Sequence, residues 1–313
     1  MAPLSDFMPR LRHRLNHILW QAYLTDFKPA AILTSALKAH QYVPLVLDHI
    51  AILDLPGPNT GIVPLKTLYS MLGYQEQGYD YLPDKQNNFL WMAEVDSKHQ
   101  PASQVLPQIV LADFRREVLP AEICSIVDRY AKQAQPLPLQ QISALQTALV
   151  QGDCEAEQLL LNCLSACLQH RPWSLPYLAE FETVHEFNEL LAWVLVFGRR
   201  INHFAISVHH LGGFSGLTHF NQLVENELQL PLNQSGGMIK GGVDQGIAQS
   251  ATQAPQVTVN LADGVIDLPD RFIEFVWRYP RVGLNRTPMH WGDYFTGFIG
   301  TQANRVIETL YVH

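Results

Sequence analysis

Cysteine is scarce in this chain of 313 residues, and the four present, Cys124, Cys154, Cys163 and Cys167, include no C-x-x-C pair. That spacing excludes a disulfide scaffold, a zinc ribbon and a thioredoxin-type redox centre. Cys163 and Cys167 stand one helical turn apart with His170 three residues on, which admits a metal reading, but free cysteine is commonly buried for packing alone, and reduced, buried thiols are expected. Basic charge is also short: 21 Lys and Arg face 29 Asp and Glu, for a formal charge of −8. A general nucleic-acid binder needs clustered cations on phosphates, so a small-molecule partner is expected and nucleic acid is not. No apolar run approaches the length of a membrane span. Residues 1–23 are interrupted by Arg10, Arg12 and Arg14 and do not read as a secretory leader, so no membrane association and a cytoplasmic location are expected. The Gly236-Gly237 and Gly241-Gly242 pairs lack the Lys-Ser/Thr ending of a phosphate loop and read as turns.

What the chain has in quantity is apolar side chain, 47% of residues, at a mean hydropathy near zero. That is ample for a buried core. Within it, nearly the same phrase occurs twice: Asp48-His49-Ile50-Ala51-Ile52 and Asn202-His203-Phe204-Ala205-Ile206. Each reads as a strand with a histidine inside an apolar alternation. His49, Ala51 and Leu53 then share one face, and His203, Ala205 and Ser207 share another. A third polar intruder is Glu274, set among aromatics in Arg271-Phe272-Ile273-Glu274-Phe275-Val276-Trp277. A buried carboxylate is costly unless paired or coordinating. Two imidazoles and one carboxylate from three strands are the ligand set of a non-haem iron(II) facial triad. Asp267 and Asp270 are rivals for the carboxylate, but both flank Pro269 in an expected turn.

The order of elements repeats as well. Residues 1–42 read as a helical segment broken at Pro29, and residues 43–115 as strand, helix and three strands, with Pro64 opening the helix and Gly73 closing it. Residues 116–199 read as a mainly helical insertion standing outside the paired sheets. Residues 200–313 resume with the second histidine strand, a helix over 217–228, and strands near 238–240, 256–261 and 272–277. The expected fold class is therefore α+β, with two βαβββ modules of vicinal-oxygen-chelate type forming a metal-binding cup. The two modules should superpose with His49 and His203 at equivalent positions.

Asp48-His49-Ile50-Ala51, Ile201-Asn202-His203-Phe204, Phe272-Ile273-Glu274-Phe275 and Gly297-Phe298-Ile299-Gly300 with Glu308-Thr309 resemble the 2-oxoadipate dioxygenase/decarboxylase family, in a short form. The resemblance implies an Fe(II) enzyme of lysine catabolism that takes 2-oxoadipate and dioxygen to 2-hydroxyglutarate and carbon dioxide, with His49, His203 and Glu274 as metal ligands and catalytic centre. Zn, Ni or Mn could occupy such a site in isolated protein, and a glyoxalase-like isomerase or hydrolase, or a non-catalytic binding module, are the competing readings. In the family an arginine four residues after the first histidine holds a substrate carboxylate, and here that position is Leu53. Arg278, four residues after Glu274, is the candidate replacement anchor, with Lys240 next. Ser207 and His209, on the parity of His203, are further candidate substrate contacts, and Gln249 and Ser250 candidate cavity residues.

Overall fold

The computed structural model describes residues 4–300 together with Val306 and Leu310. Helix α1 (Leu4–Asp26) buries Leu11, Leu15, Leu19 and Tyr23, a stripe at four-residue spacing. Phe27 separates it from α2 (Lys28–Ala39), where Pro29 occupies the first turn, a position at which its missing N–H costs nothing. The first histidine strand β1 (Leu47–Leu53) leads to α3 (Ile62–Met71), then to β2 (Tyr74–Leu82), β3 (Asn87–Glu94) and β4 (Gln108–Phe114). Helices α4 (Ala121–Ala131), α5 (Leu139–Val150), α6 (Ala156–Cys167), α7 (Leu178–Phe187) and α8 (Glu189–Phe197) follow. The chain then runs through β5 (Arg200–Ser207), α9 (Leu217–Gln222), β6 (Lys240–Gly242), β7 (Ile247–Ala251), β8 (Gln256–Asn260), β9 (Val265–Pro269) and β10 (Phe272–Arg278).

Eight strands form one sheet in the order β2-β3-β4-β1-β5-β10-β7-β6. The order mirrors itself about the antiparallel β1–β5 contact, where Ala51 faces His203 and His49 faces Ala205. Each histidine strand also has a parallel partner in the same register: His49 pairs with Gln108 and Ala51 with Val110 on one side, His203 with Phe272 and Ala205 with Glu274 on the other. The two histidines thus occupy equivalent positions, as the repeated phrase predicts. One sheet face, with Ile50, Ile52, Phe204, Ile206, Ile273 and Phe275, packs against α1, α3 and α9. The opposite face carries His49, Leu53, His203 and Glu274 into a cavity. Burial on both faces explains why these strands read as near-continuous apolar runs.

Three features depart from the sequence pattern. Residues 256–260 pair with β9 in a separate two-stranded sheet. The strand that does flank β10 is β7, Ile-Ala-Gln-Ser-Ala, whose composition carries little strand propensity. It is held by polar side chains that find buried partners, Ser250 on Asn221 and Gln249 on Glu274. Strand β5 ends at Ser207 and a 3-10 turn covers Val208–His210, so His209 does not continue the parity of His203. Within residues 116–199, α8 is buried on all sides from Leu190 to Val196, and its Trp193 indole donates to the carbonyls of Pro269 and Asp270. All four cysteines are free, but against the expectation of buried thiols only Cys167 is buried, with Cys154 exposed and Cys124 and Cys163 half-buried; burial pushes the Cys167 thiol up to about 11. No helix among the described residues is long and apolar enough to cross a membrane.

Candidate metal centre and its cavity

His49 on β1, His203 on β5 and Glu274 on β10 each offer one ligand atom, and the three atoms lie within 4.8 Å of one another, all buried. Glu274 Oε2 stands 3.3 Å from His49 Nε2 and 3.2 Å from His203 Nε2. Ligands about 2.1 Å from one ion are separated by about 3.0 Å at a right angle and about 3.4 Å at the tetrahedral angle, so these spacings suit a shared cation. Among the described residues no other group of His, Cys, Asp and Glu converges in this way, and Asp270 is paired with Arg200 while Asp267 accepts from Thr258.

The residue before each histidine sets its tautomer. Asp48 Oδ1 lies 2.9 Å from His49 Nδ1, and Asn202 Oδ1 lies 2.7 Å from His203 Nδ1. With Nδ1–H donated outward, each Nε2 presents a lone pair to Glu274, the arrangement in which outer partners fix metal-ligating histidines. Two lone pairs facing a carboxylate at these distances require a positive charge between them, and this donor set fits a divalent metal. Gln249 Nε2 donates to Glu274 Oε1 at 2.6 Å, which leaves Oε2 to face the imidazoles.

Without a metal, a proton supplies the charge, and the two histidines differ in how they hold it. Burial disfavours the charged form of His49, but Glu274 and Asp48 outweigh it and hold its pKa up to about 9. His203 has a neutral amide where His49 has a carboxylate, and burial leaves its pKa lowered. Burial likewise opposes the charge on Glu274, but His49 and His203 bring its pKa down to about 2. A proton on His49 therefore stabilises the metal-free fold fully below about pH 6.5, and that contribution is lost as pH rises through about 9. The same proton competes with metal. Zn(II) affinity is expected to rise with pH between 7 and 9, with uptake of the ion releasing about one proton per chain near pH 7 in calorimetry across buffers of different ionisation enthalpy. A pH-independent affinity over that range would contradict a protonated His49.

The cavity in front of the triad is lined by Ala51, Leu53, Leu82, Phe89, Val110, Ala112, Phe298 and Val306, with Asn87 and Gln249 as its uncharged polar groups. No lysine or arginine lines it among the described residues. Phe298 packs edge-on against His49 and Trp91, with centroids 4.9 and 5.5 Å away, and roofs the ligands. Leu53 stands in this wall, on the face of His49, as the alternation predicts. Val110 holds the position in the first module that Glu274 holds in the second.

The other candidate contacts are placed elsewhere. Arg278 is on the strand of Glu274, but its guanidinium is engaged by the protein itself: Nε and Nη2 bond Asp48 at 2.7 and 2.8 Å, and Nη1 donates to the carbonyls of Phe295 and Gly297. Ser207 donates to Asp48 Oδ2 at 3.3 Å. His209 accepts from the Arg278 backbone N–H and stacks among His210 and Tyr294, where burial and His210 push its pKa down to about 3. Lys240 is buried on the edge strand β6 and donates to the Asn233 carbonyl. Asp48, Asn202, Asn87 and Val110 stand at the candidate site, and the sequence reading passed over them. Asp48 and Asn202 carried a signal, because the repeated phrase places a side-chain oxygen directly before each histidine.

A family model described as 2-oxoadipate dioxygenase/decarboxylase matches residues 31–280. The chain is 29% identical over 240 residues to the chloroplastic 2-oxoadipate dioxygenase/decarboxylase of Arabidopsis thaliana, covering 75% of this chain and 59% of that protein. It is 24% identical over 263 residues to the chloroplastic/amyloplastic protein of that name from Oryza sativa, covering 82% of this chain and 66% of the relative. It thus spans less than two thirds of either plant protein. Among solved structures, the hydroxyglutarate synthase of Oryza sativa in complex with 2-oxoadipate superposes with a TM-score of 0.78 at 21% identity, covering 99% of this chain and 94% of that one. A glyoxalase superfamily protein from Ralstonia eutropha gives 0.75 at 18% identity, covering 92% and 85%. These likenesses establish the α+β vicinal-oxygen-chelate fold. By the match over residues 31–280, the chain belongs to the 2-oxoadipate dioxygenase/decarboxylase family.

Proposed function

We propose that this chain is an iron(II)-dependent dioxygenase/decarboxylase that converts a 2-oxo acid and dioxygen to a 2-hydroxy acid and carbon dioxide. The observation that carries the reading is the convergence of His49, His203 and Glu274 at one end of a buried cavity. Iron(II), if bound, would activate dioxygen, and the electrons that reduce it would come from the 2-oxo acid as it loses carbon dioxide and is hydroxylated. The chain supplies position and surroundings. Asp48 and Asn202 keep both imidazoles in one tautomer, and Gln249 orients the carboxylate. Glu274 offsets one of the two charges of the ion, so the site keeps a positive charge for the carboxylate of a 2-oxo acid. Val110, apolar where a fourth protein ligand could stand, leaves room for substrate and supports this reading over a glyoxalase-like one. Phe298 and the apolar walls keep bulk water from the reacting atoms.

Leu53 and the engagement of Arg278 by Asp48 favour a substrate whose far end is uncharged, because a free carboxylate against leucine costs several kcal/mol to desolvate. The role in lysine breakdown belongs with 2-oxoadipate and is weakened by the same residues. Oxygen uptake by iron-loaded protein with 2-oxoadipate and with uncharged 2-oxo acids tests the reading, and no uptake with any of them would defeat it. Leu53→Arg is expected to improve 2-oxoadipate turnover by roughly tenfold to a hundredfold, the worth of a charge-assisted pair of ~1.5–3 kcal/mol. Strong wild-type activity on 2-oxoadipate, unchanged in Leu53→Arg, would defeat the specificity argument alone.

A further inference from the structure

Asn87, which lines the cavity, carries a buried oxygen with no hydrogen-bond partner among the described residues, as does Gln249 beside Glu274 at the metal end. Asn87, the first residue of β3, is fully buried, and its Nδ2 donates to the Asp113 carbonyl at 2.7 Å. That bond fixes the amide, since only the nitrogen can donate to a carbonyl. The remaining atom, Oδ1, is buried and has no hydrogen-bond partner among the described residues. Buried acceptors are nearly always satisfied, so an orphan lining a ligand cavity calls for a donor from outside the protein.

The sheet register says which end of the ligand it meets. His49 lies opposite Gln108, whereas Leu53 lies opposite Ala112, which in turn faces Phe89. Asn87 is two residues beyond Phe89, opposite Phe114, and so lies past the Leu53 wall from the metal ligands. Between the two ends the walls are apolar. A carboxylate arriving at Asn87 would set one acceptor against another. A methyl group would leave Oδ1 unpaired, while a hydroxyl group would satisfy it.

We infer that Asn87 reads the far end of the substrate and selects a 2-oxo acid carrying a neutral hydrogen-bond donor there, a terminal hydroxyl group foremost. This rests on the reading of the site as a 2-oxo acid site and narrows it. The probes are three acids of equal chain length: 2-oxohexanoate, 6-hydroxy-2-oxohexanoate and 2-oxoadipate. Binding to iron(II)-loaded protein is measured by calorimetry without oxygen, so the readout does not depend on turnover. The hydroxy acid is expected to bind about tenfold tighter than either of the others, one hydrogen bond's worth. In Asn87→Leu that preference should vanish and the methyl-ended acid should bind at least as well as the hydroxy acid. Each ratio is taken within one protein, so a general loss of stability on substitution cancels. Tightest binding by 2-oxoadipate, equal binding of hydroxyl and methyl ends, or a preference that persists in Asn87→Leu would overturn the inference. If none of the three acids binds, the 2-oxo acid reading falls and takes the inference with it; binding of all three without end-group preference removes the inference alone.

Discussion

Replacing Glu274 with glutamine is expected to abolish iron loading and to lower oxygen uptake by a thousandfold or more, while the purified protein keeps its fold. Glutamine matches the shape of the side chain and still accepts from Gln249, so packing around β10 is conserved. What it removes is the charge that sits 3.2 to 3.3 Å from both imidazoles. A neutral amide is a poor ligand for a divalent ion, and several kcal/mol of lost metal and transition-state stabilisation correspond to on the order of a thousandfold in rate. Iron content by elemental analysis, oxygen uptake and far-ultraviolet circular dichroism separate these effects. Full oxygen uptake in Glu274→Gln would show that the triad is not the reaction centre. The same loss is expected for His203→Ala.

The largest stability change should come from Asp48, a residue that bonds His49 but would not itself touch metal or substrate in the proposed site. Its side chain and that of Arg278 are fully buried as a pair, with Nε to Oδ2 at 2.7 Å. Burial works against the charge on Asp48, but the Arg278 guanidinium more than offsets this and holds the carboxyl well below the usual carboxylate range. Removing the carboxylate in Asp48→Ala leaves a buried guanidinium without its counter-ion, which costs about 3–5 kcal/mol. The melting temperature should fall by roughly 10 °C. His49 also loses the partner that fixes its tautomer, so affinity for metal should drop about ten- to a hundredfold. The double variant Asp48→Ala with Arg278→Met should regain most of the stability, because no unpaired charge remains, and none of the metal affinity. Equal destabilisation of single and double variants in thermal unfolding would contradict an uncompensated Arg278 as the cause. Arg278 also bonds the carbonyls of Phe295 and Gly297, just before the Phe298 roof, so Asp48 and Arg278 tie the first ligand to the segment that covers it.

The sequence by itself determined the candidate metal ligands and the scaffold that repeats them. Histidine in an alternating apolar run fixes which face it occupies, and a phrase used twice fixes that the two positions are equivalent. Period-two alternation likewise put Leu53 on the cavity face. Local pattern failed where burial is polar. Strand β7 has neither β-branched runs nor a clean alternation, because Gln249 and Ser250 are satisfied by Glu274 and Asn221 from distant parts of the chain. Arg278 reads as a free cation on the face of Glu274, and only the approach of Asp48, 230 residues away, turns it into half of a buried pair. Asn87 reads as an unremarkable polar strand residue until its amide is tied to Asp113 and its oxygen is left without a partner among the described residues. Alternation decides which face a side chain takes, since it follows from backbone geometry alone. Which partner a buried polar group meets on that face depends on strands brought together from far apart, and only the tertiary structure decided that.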